Sequence, residues 1–380
     1  MKKHLLSTSA IALGVAMAAP ASAQEWNMKW GGFYNVHVGY SDVDDVSGST
    51  ADFDGVNIYT NAEIIFRPSV TLDNGLTFGA EVQLEAMNTG GARVDESFVS
   101  IYSDTLGRID LGSENSAGYK MMVTAPGIGI GINSPSVSAF IPVSNAVGMR
   151  FRRAMISAYT EVAGNNDVQR ITYYTPSFNG LTLGVSYAPG AGGNVPVSIN
   201  GTSGTGTGNS GAVNIAPIDF NTIDLQDIWD FGLAYNQSFN GVDLSLSARY
   251  GTGDSNIANQ DDPDTWGIGA SVSVSGWTIG GHYAENDEGN AGGLGDEEGW
   301  ALGVAYDIPG PWRVAFDTFQ GERKIAGGKE EYTAYQLGAR RTLGKGVAWQ
   351  VYAVYAEGED KVAGDKVDGT VIATSINLSF

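Results

Sequence analysis

Hydrophobic residues in this chain recur at every second position, segment after segment, and almost nowhere at the 3.6-residue period of a helix. Tyr34, Val36, Val38 and Tyr40 share one face, while Asn35, His37 and Gly39 share the other. Val56, Ile58, Thr60, Ala62, Ile64 and Phe66 alternate with Asn57, Asn61, Glu63 and Arg67. Phe78, Ala80, Val82, Leu84 and Ala86 alternate with Glu81, Gln83 and Glu85. The final segment sets Ile372, Thr374, Ile376, Leu378 and Phe380 against Ser375, Asn377 and Ser379. Period two is the signature of a strand with unlike faces. The chain is therefore all-β.

Turn chemistry divides the strands into pairs. Short signals stand at Asp73-Asn74-Gly75, Asp104 to Gly107, Phe178-Asn179-Gly180, Phe239-Asn240-Gly241, Ser275-Gly276, Ile308 to Pro311 and Leu343 to Gly346. Between them lie longer polar connections at 41–54, 88–93, 113–167, 189–227, 251–265, 284–299, 319–331 and 356–370. Seven short turns and eight long connections imply sixteen strands.

Two packings accept such strands. A soluble sandwich would bury the apolar faces in a common core. A transmembrane antiparallel barrel turns them to lipid and satisfies every backbone group without an open edge. Many segments alternate over about ten residues, the length that crosses a bilayer at a tilt. Short turns also alternate strictly with long loops, as periplasmic and extracellular ends do. Trp30, Trp266, Trp277, Tyr283, Trp300, Tyr306, Trp312 and Tyr355 stand near strand ends, as interfacial girdles require. The pattern favours the barrel.

Residues 1–23 read as a cleaved signal peptide, with Lys2 and Lys3, an apolar stretch from Ala10 to Ala19, and Ala21-Ser22-Ala23 as the cleavage site. Past it, no run reaches the roughly 18 apolar residues of a membrane helix. Residues 24–380 form the expected barrel domain. Of the whole chain, 42 residues are acidic and 21 basic, and the formal charge is −21. Such a chain repels nucleic-acid phosphates. The absence of cysteine excludes disulfides, thiolate metal sites and a cysteine nucleophile. Gly206 to Gly211 spells GxGxxG, but in a Gly/Ser/Thr/Asn-rich loop without the strand–turn–helix that dinucleotide binding requires.

The segments VTLDNGLTFGAEVQLEA (70–86), GRIDLGS (107–113), RITYYTPSFNGLTLGVSYAP (170–189) and the terminal INLSF resemble a general porin of the Gram-negative outer membrane, of the alphaproteobacterial (Rhodobacter-like) type. The resemblance covers essentially all of residues 24–380. It implies a water-filled channel for passive diffusion of small hydrophilic solutes and ions, a homotrimer, and contact with outer-membrane lipid and lipopolysaccharide. It implies no catalysis and no cofactor. Phe380 matches the terminal residue by which such barrels are recognised for assembly. The third connection, 113–167, matches in position and length the loop that folds into the lumen and narrows it.

Function in such a barrel resides on inward faces. The inward wall charges on this register are Arg67, Arg108, Arg170, Arg249, Arg313 and Arg340 with Glu63, Glu81, Glu85, Asp110 and Asp317. The third connection adds Glu114, Lys120, Arg150, Arg152 and Arg153, while 121–149 carries no charge, unlike the acidic constriction loops of better-known porins. Arg67 and Arg170 rank first because they flank that loop in strand order. Five outer loops hold 23 acidic and 5 basic residues, an acidic mouth that should favour cations. Asp261, Asp262, Asp264, Asp296, Glu297 and Glu298 are candidate ligands there for Ca²⁺ or Mg²⁺, which favour oxygen donors and could bridge the loops to lipopolysaccharide phosphates.

Rival readings remain. A sugar-type channel would line a track with Tyr59, Tyr174 and Tyr352. A barrel adhesin would be plugged, and a barrel lipase would need a Ser/His site on the lipid side that His37 and His282 do not supply.

Overall fold

The computed structural model describes residues 25–44, 51–86, 94–130, 140–143, 161–191 and 224–380. The expected signal segment, the GxGxxG stretch, and Arg150, Arg152 and Arg153 lie outside the described residues. Strands β1 (Asn27–Val43), β2 (Gly55–Thr71), β3 (Thr77–Glu85), β4 (Val94–Ser103) and β5 (Gly107–Glu114) precede the third connection. After it come β6 (Val168–Tyr174), β7 (Leu181–Gly190), β8 (Leu225–Phe239), β9 (Val242–Ser255), β10 (Asp264–Val274) and β11 (Trp277–Asp287). The last five are β12 (Glu297–Asp307), β13 (Trp312–Ile325), β14 (Gly328–Gly344), β15 (Val347–Asp360) and β16 (Lys366–Ser379). These are the sixteen strands the turn signals imply, each antiparallel to its neighbours.

The sheet closes on itself, because β1 pairs with both β2 and β16. At the seam Tyr34 stands between Ala62 and Leu378. Gly32 and Phe380 exchange backbone hydrogen bonds of 3.0 and 3.1 Å, so the terminal residue of the chain completes the ladder. No strand edge is left to lipid. The hairpin turns use the predicted residues: Asn179 and Asn240 sit at φ 48° and 50°, each followed by a glycine at positive φ. Asn tolerates that conformation and Gly enters it freely.

Alternation sorts the two faces as expected. Tyr40, Ile58, Ile268, Leu302, Leu337 and Ile372 are exposed on the outside, an apolar belt too extensive for water. Asn35, His37, Glu63, Asp110, Asp230 and Gln350 are buried on the inside. Aromatic pairs flank the belt at both levels. Tyr187 and Trp229 (4.7 Å) and Trp266 and Tyr283 (5.4 Å) stand at the loop end. Trp30 and Phe66, and Trp277 and Tyr306, both 4.5 Å apart, stand at the turn end. Among the described residues no helix is long and apolar enough to cross a membrane.

The connections at 319–331 and 356–370 are shorter than the sequence suggests. β13 continues to Ile325 and β14 begins at Gly328, so Ala326-Gly327 alone makes the turn. Ion pairs across and along the strands line this extension. Lys329 reaches Glu322 (2.6 Å) and Glu331 (2.8 Å), and Lys361 reaches Glu359 (2.6 Å) and Glu331 (3.1 Å). Beyond the bilayer both faces of a strand meet water. The hydrophobic alternation then fades while the backbone pairing persists.

Candidate functional site

The third connection enters the barrel directly after β5, through helix α1 (Ala117–Met121). The first N–H groups of a helix have no partner within it. Here the wall and the returning end of the loop supply them. Glu161 accepts from Ser116 N (2.8 Å), Ser186 Oγ from Ala117 N (2.8 Å) and Asp230 from Gly118 N (2.7 Å). Asp230 also holds Arg249, and Glu161 lies 3.6 Å from Arg170, which in turn donates to Asn165 O at 2.9 Å. The start of the loop is therefore fixed to β6, β7, β8 and β9 by two buried arginine–carboxylate pairs.

From α1 the chain follows the inner wall. Val123 N donates to Ser247 Oγ on β9 (2.7 Å). Arg313 on β13 donates to Gly127 O (3.0 Å), and Gln350 on β15 to Ile128 O (3.0 Å) and Gly129 O (2.6 Å). Ile128, Phe140, Ile141 and Val143 are buried in one cluster with Phe319, Tyr332, Tyr352 and Val371. The backbone can lie this close because the wall offers glycines on its inward face. A Cβ on Gly184 would come within 2.6 Å of Met121 Sδ, and one on Gly39 within 2.7 Å of Phe140. At Gly269 and Gly303 it would collide with the carbonyl oxygens of Val123 and Pro126. A strand glycine marks close approach of another backbone. These glycines trace the loop's path from β7 to β1.

The uncharged composition of 121–149 follows from this placement. Its described residues press on the wall, where a charge would be desolvated without a partner. The charges gather on the other side, over β2 to β5. Arg67 clasps Glu81 through two hydrogen bonds (2.8 and 3.1 Å). Gln83 donates to both Glu81 and Glu96 at 2.8 Å. Lys120 lies 2.5 Å from Glu114 and 3.9 Å from Glu96. Burial works against the Lys120 charge, but Glu114 and Glu96 outweigh it and hold the ammonium above its usual range. Arg108 pairs with Asp110 (2.8 Å), which accepts from Ser100 Oγ (2.6 Å). Among these described groups Glu63, Glu81, Glu85, Asp95, Glu96, Asp110 and Glu114 outnumber Arg67, Arg108 and Lys120.

The predicted residues thus divide into two sets. The side chains of Arg67 and Arg108 are 46% and 43% exposed, whereas those of Arg170 and Arg249 are 1% and 0% exposed. All four lie on the inward face, but Arg170 and Arg249 are covered by the loop and serve to hold it. Arg170 therefore does not rank with Arg67 as a channel-facing charge. Arg313 holds the loop from β13, Arg340 on β14 lies beside Gly129, and Asp317 lies beneath Gly127. Asp230, Ser186, Ser247 and Gln350 escaped the sequence reading, although their inward register was legible.

The six acids proposed as outer-loop metal ligands do not converge. Glu297 is buried inward beside Arg323 (3.7 Å), whereas Glu298 turns outward and accepts from Tyr283 (2.9 Å). Asp262 accepts from Ser255 N and Asp296 from Glu288 N. Successive strand residues face opposite sides of the wall, which separates the adjacent Glu297 and Glu298 of β12.

A closed barrel with an apolar belt outside, charge inside and a loop lodged in its interior is a membrane channel barrel. A family model described as Gram-negative porin matches residues 7–363, and the chain belongs to that family. Its fold is similar to that of the anion-selective porin from Comamonas acidovorans, at 17% identity and TM-score 0.59 over 94% of this chain and 100% of that one. The outer membrane channel DcaP of Acinetobacter baumannii is similar at 12% identity and TM-score 0.60, over 96% and 100%. OmpT of Vibrio cholerae, in a trimer form, is similar at 10% identity and TM-score 0.58, over 93% and 99%. A search of curated protein sequences gave no match. At these identities the structures speak to the barrel, not to the Rhodobacter-like subtype. Family and fold place the protein in the bacterial outer membrane as a channel for passive diffusion, and they are those of non-enzymatic channels.

Proposed function

We propose that this channel is cation-preferring, works as a homotrimer, and passes small hydrophilic solutes through an opening between the third connection and the wall of β2 to β5. One observation carries the reading. The described residues of 121–149 are uncharged and lie against the wall from β7 round to β1, while the acid-rich network of β2 to β5 stands opposite them. A field set by excess carboxylates draws cations and slows anions. The acidic outer loops act in the same sense. The trimer form of the Vibrio cholerae protein supports the assembly.

The test is single-channel recording in planar bilayers under a KCl gradient. The expected result is openings in groups of three with a cation-selective reversal potential. Anion preference would overturn the selectivity, and silent but folded barrels would overturn the channel and favour an adhesin. The general pore is favoured over the sugar-type alternative because Tyr352, one of its three tyrosines, is buried and hydrogen-bonded to His37 (2.9 Å). Divalent ions at the outer rim are supported by outward carboxylates hung on girdle tyrosines. Glu298 accepts from Tyr283 (2.9 Å) and Glu357 from Tyr355 (2.8 Å), where lipopolysaccharide phosphates would lie.

A further inference from the structure

Three carboxylates converge on the inner wall away from the loop anchors. One oxygen each from Glu63, Glu85 and Asp95 lies within 4.8 Å of the others. Glu63 and Glu85 are direct cross-strand partners, a placement in which like charges repel. Asp95 joins them where the pairing of β3 and β4 slips between Val82 and Leu84. Glu63 is 4% exposed, and its Oε1 has no hydrogen-bond partner among the described residues. Two positions along the same face, Asn61 is 8% exposed and its Oδ1 likewise lacks a donor. A buried oxygen without a donor loses its hydration and gains nothing in return. Two such acceptors beside two further carboxylates ask for a cation rather than for one more hydrogen bond.

We propose that Glu63, Glu85 and Asp95 form a divalent-cation site in the channel wall, selective for Ca²⁺. All donors are oxygen, as hard cations require. Three oxygens within 4.8 Å of one another can all reach a Ca²⁺ bonded at about 2.4 Å, and three protein carboxylates suit Ca²⁺ better than Mg²⁺, which keeps several waters and takes only one or two. Glu85 and Asp95 are half-buried, so an ion reaches the site from the lumen and keeps water on that side. Occupation exchanges three negative charges for one beside the conduction path, so bound Ca²⁺ weakens the wall's attraction for monovalent cations.

Calorimetric titration of CaCl₂ into chelator-stripped, folded protein in detergent tests the site without any reference to conduction. Failure here and failure of the channel reading are therefore separate outcomes. A saturable Ca²⁺ site is expected that is lost in Glu63→Gln and in Asp95→Asn but kept in Asp262→Asn at the mouth. Heat-dependent gel migration verifies that each variant is folded, and either of the two wall variants suffices if the other does not assemble. In bilayers, Ca²⁺ should lower the K⁺ over Cl⁻ preference of the parent protein more than that of the wall variants. No saturable heat in the parent protein, or a site that survives both wall substitutions, overturns the proposal.

Discussion

Gly303 has no side chain where Pro126 O needs the space, and the same holds for Gly269 beneath Val123 O. Gly303→Val should therefore push the loop off the wall. Overpacking of this kind costs about 1–3 kcal/mol. Because the loop is held at several other points, its tip should shift into the lumen without unfolding the barrel. The expected outcome is an altered single-channel conductance with an unchanged gel shift on heating. Asp230 is a harsher case. It serves both Arg249 and Gly118 N, and both it and Arg249 are buried. Removing one member of a buried pair costs about 3–5 kcal/mol. Asp230→Ala should lower the denaturant midpoint and release α1, seen as new protease sites near residue 120. The inward register of these residues was legible in the alternation. Their burial was not, since it depends on where a loop distant in sequence comes to rest. The signal that could have shown it was the row of inward glycines on β7, β8, β10, β12 and β14.

At the scale of one strand, stability follows from which solvent each face meets. Leu302 is exposed on the lipid side of β12, between the girdle residues Trp300 and Tyr306. An arginine near the middle of the bilayer costs about 2–4 kcal/mol. Leu302→Arg should reduce folding stability in vesicles by that amount, measured by denaturant titration, and a wild-type midpoint would refute the assigned lipid face. The extended β13–β14 hairpin obeys a different rule. Its ion pairs are solvated, and exposed pairs contribute about 0–1 kcal/mol each. Lys361→Ala should leave the denaturant midpoint close to the parent value, although Lys361 bridges Glu331 and Glu359. The contrast also explains what the sequence showed. Wherever one face meets lipid, strands and turns could be counted from hydrophobicity alone. Where β13 and β14 rise into water, polar residues on both faces resemble a loop.

For the whole molecule, charge and geometry meet in the selectivity of the channel. Arg67 is the most exposed cation of the β2–β5 network, and it is matched by Glu81. Arg67→Gln removes a positive charge and frees a carboxylate, so the reversal potential should move further toward K⁺. Glu81→Gln does the opposite and should move it toward Cl⁻. These wall charges act through water, so salt should weaken them. The screening length falls from about 10 Å at 0.1 M to about 3 Å at 1 M. The K⁺ over Cl⁻ permeability ratio should therefore decline steeply between those concentrations, and the two variants should converge on the parent value at the upper one. A ratio independent of salt would mean that ions are sorted by contact within the narrowest section rather than by the field of the wall. In that case Arg67 and Glu81 would lie at the point of closest passage, and substituting either would change conductance as strongly as selectivity.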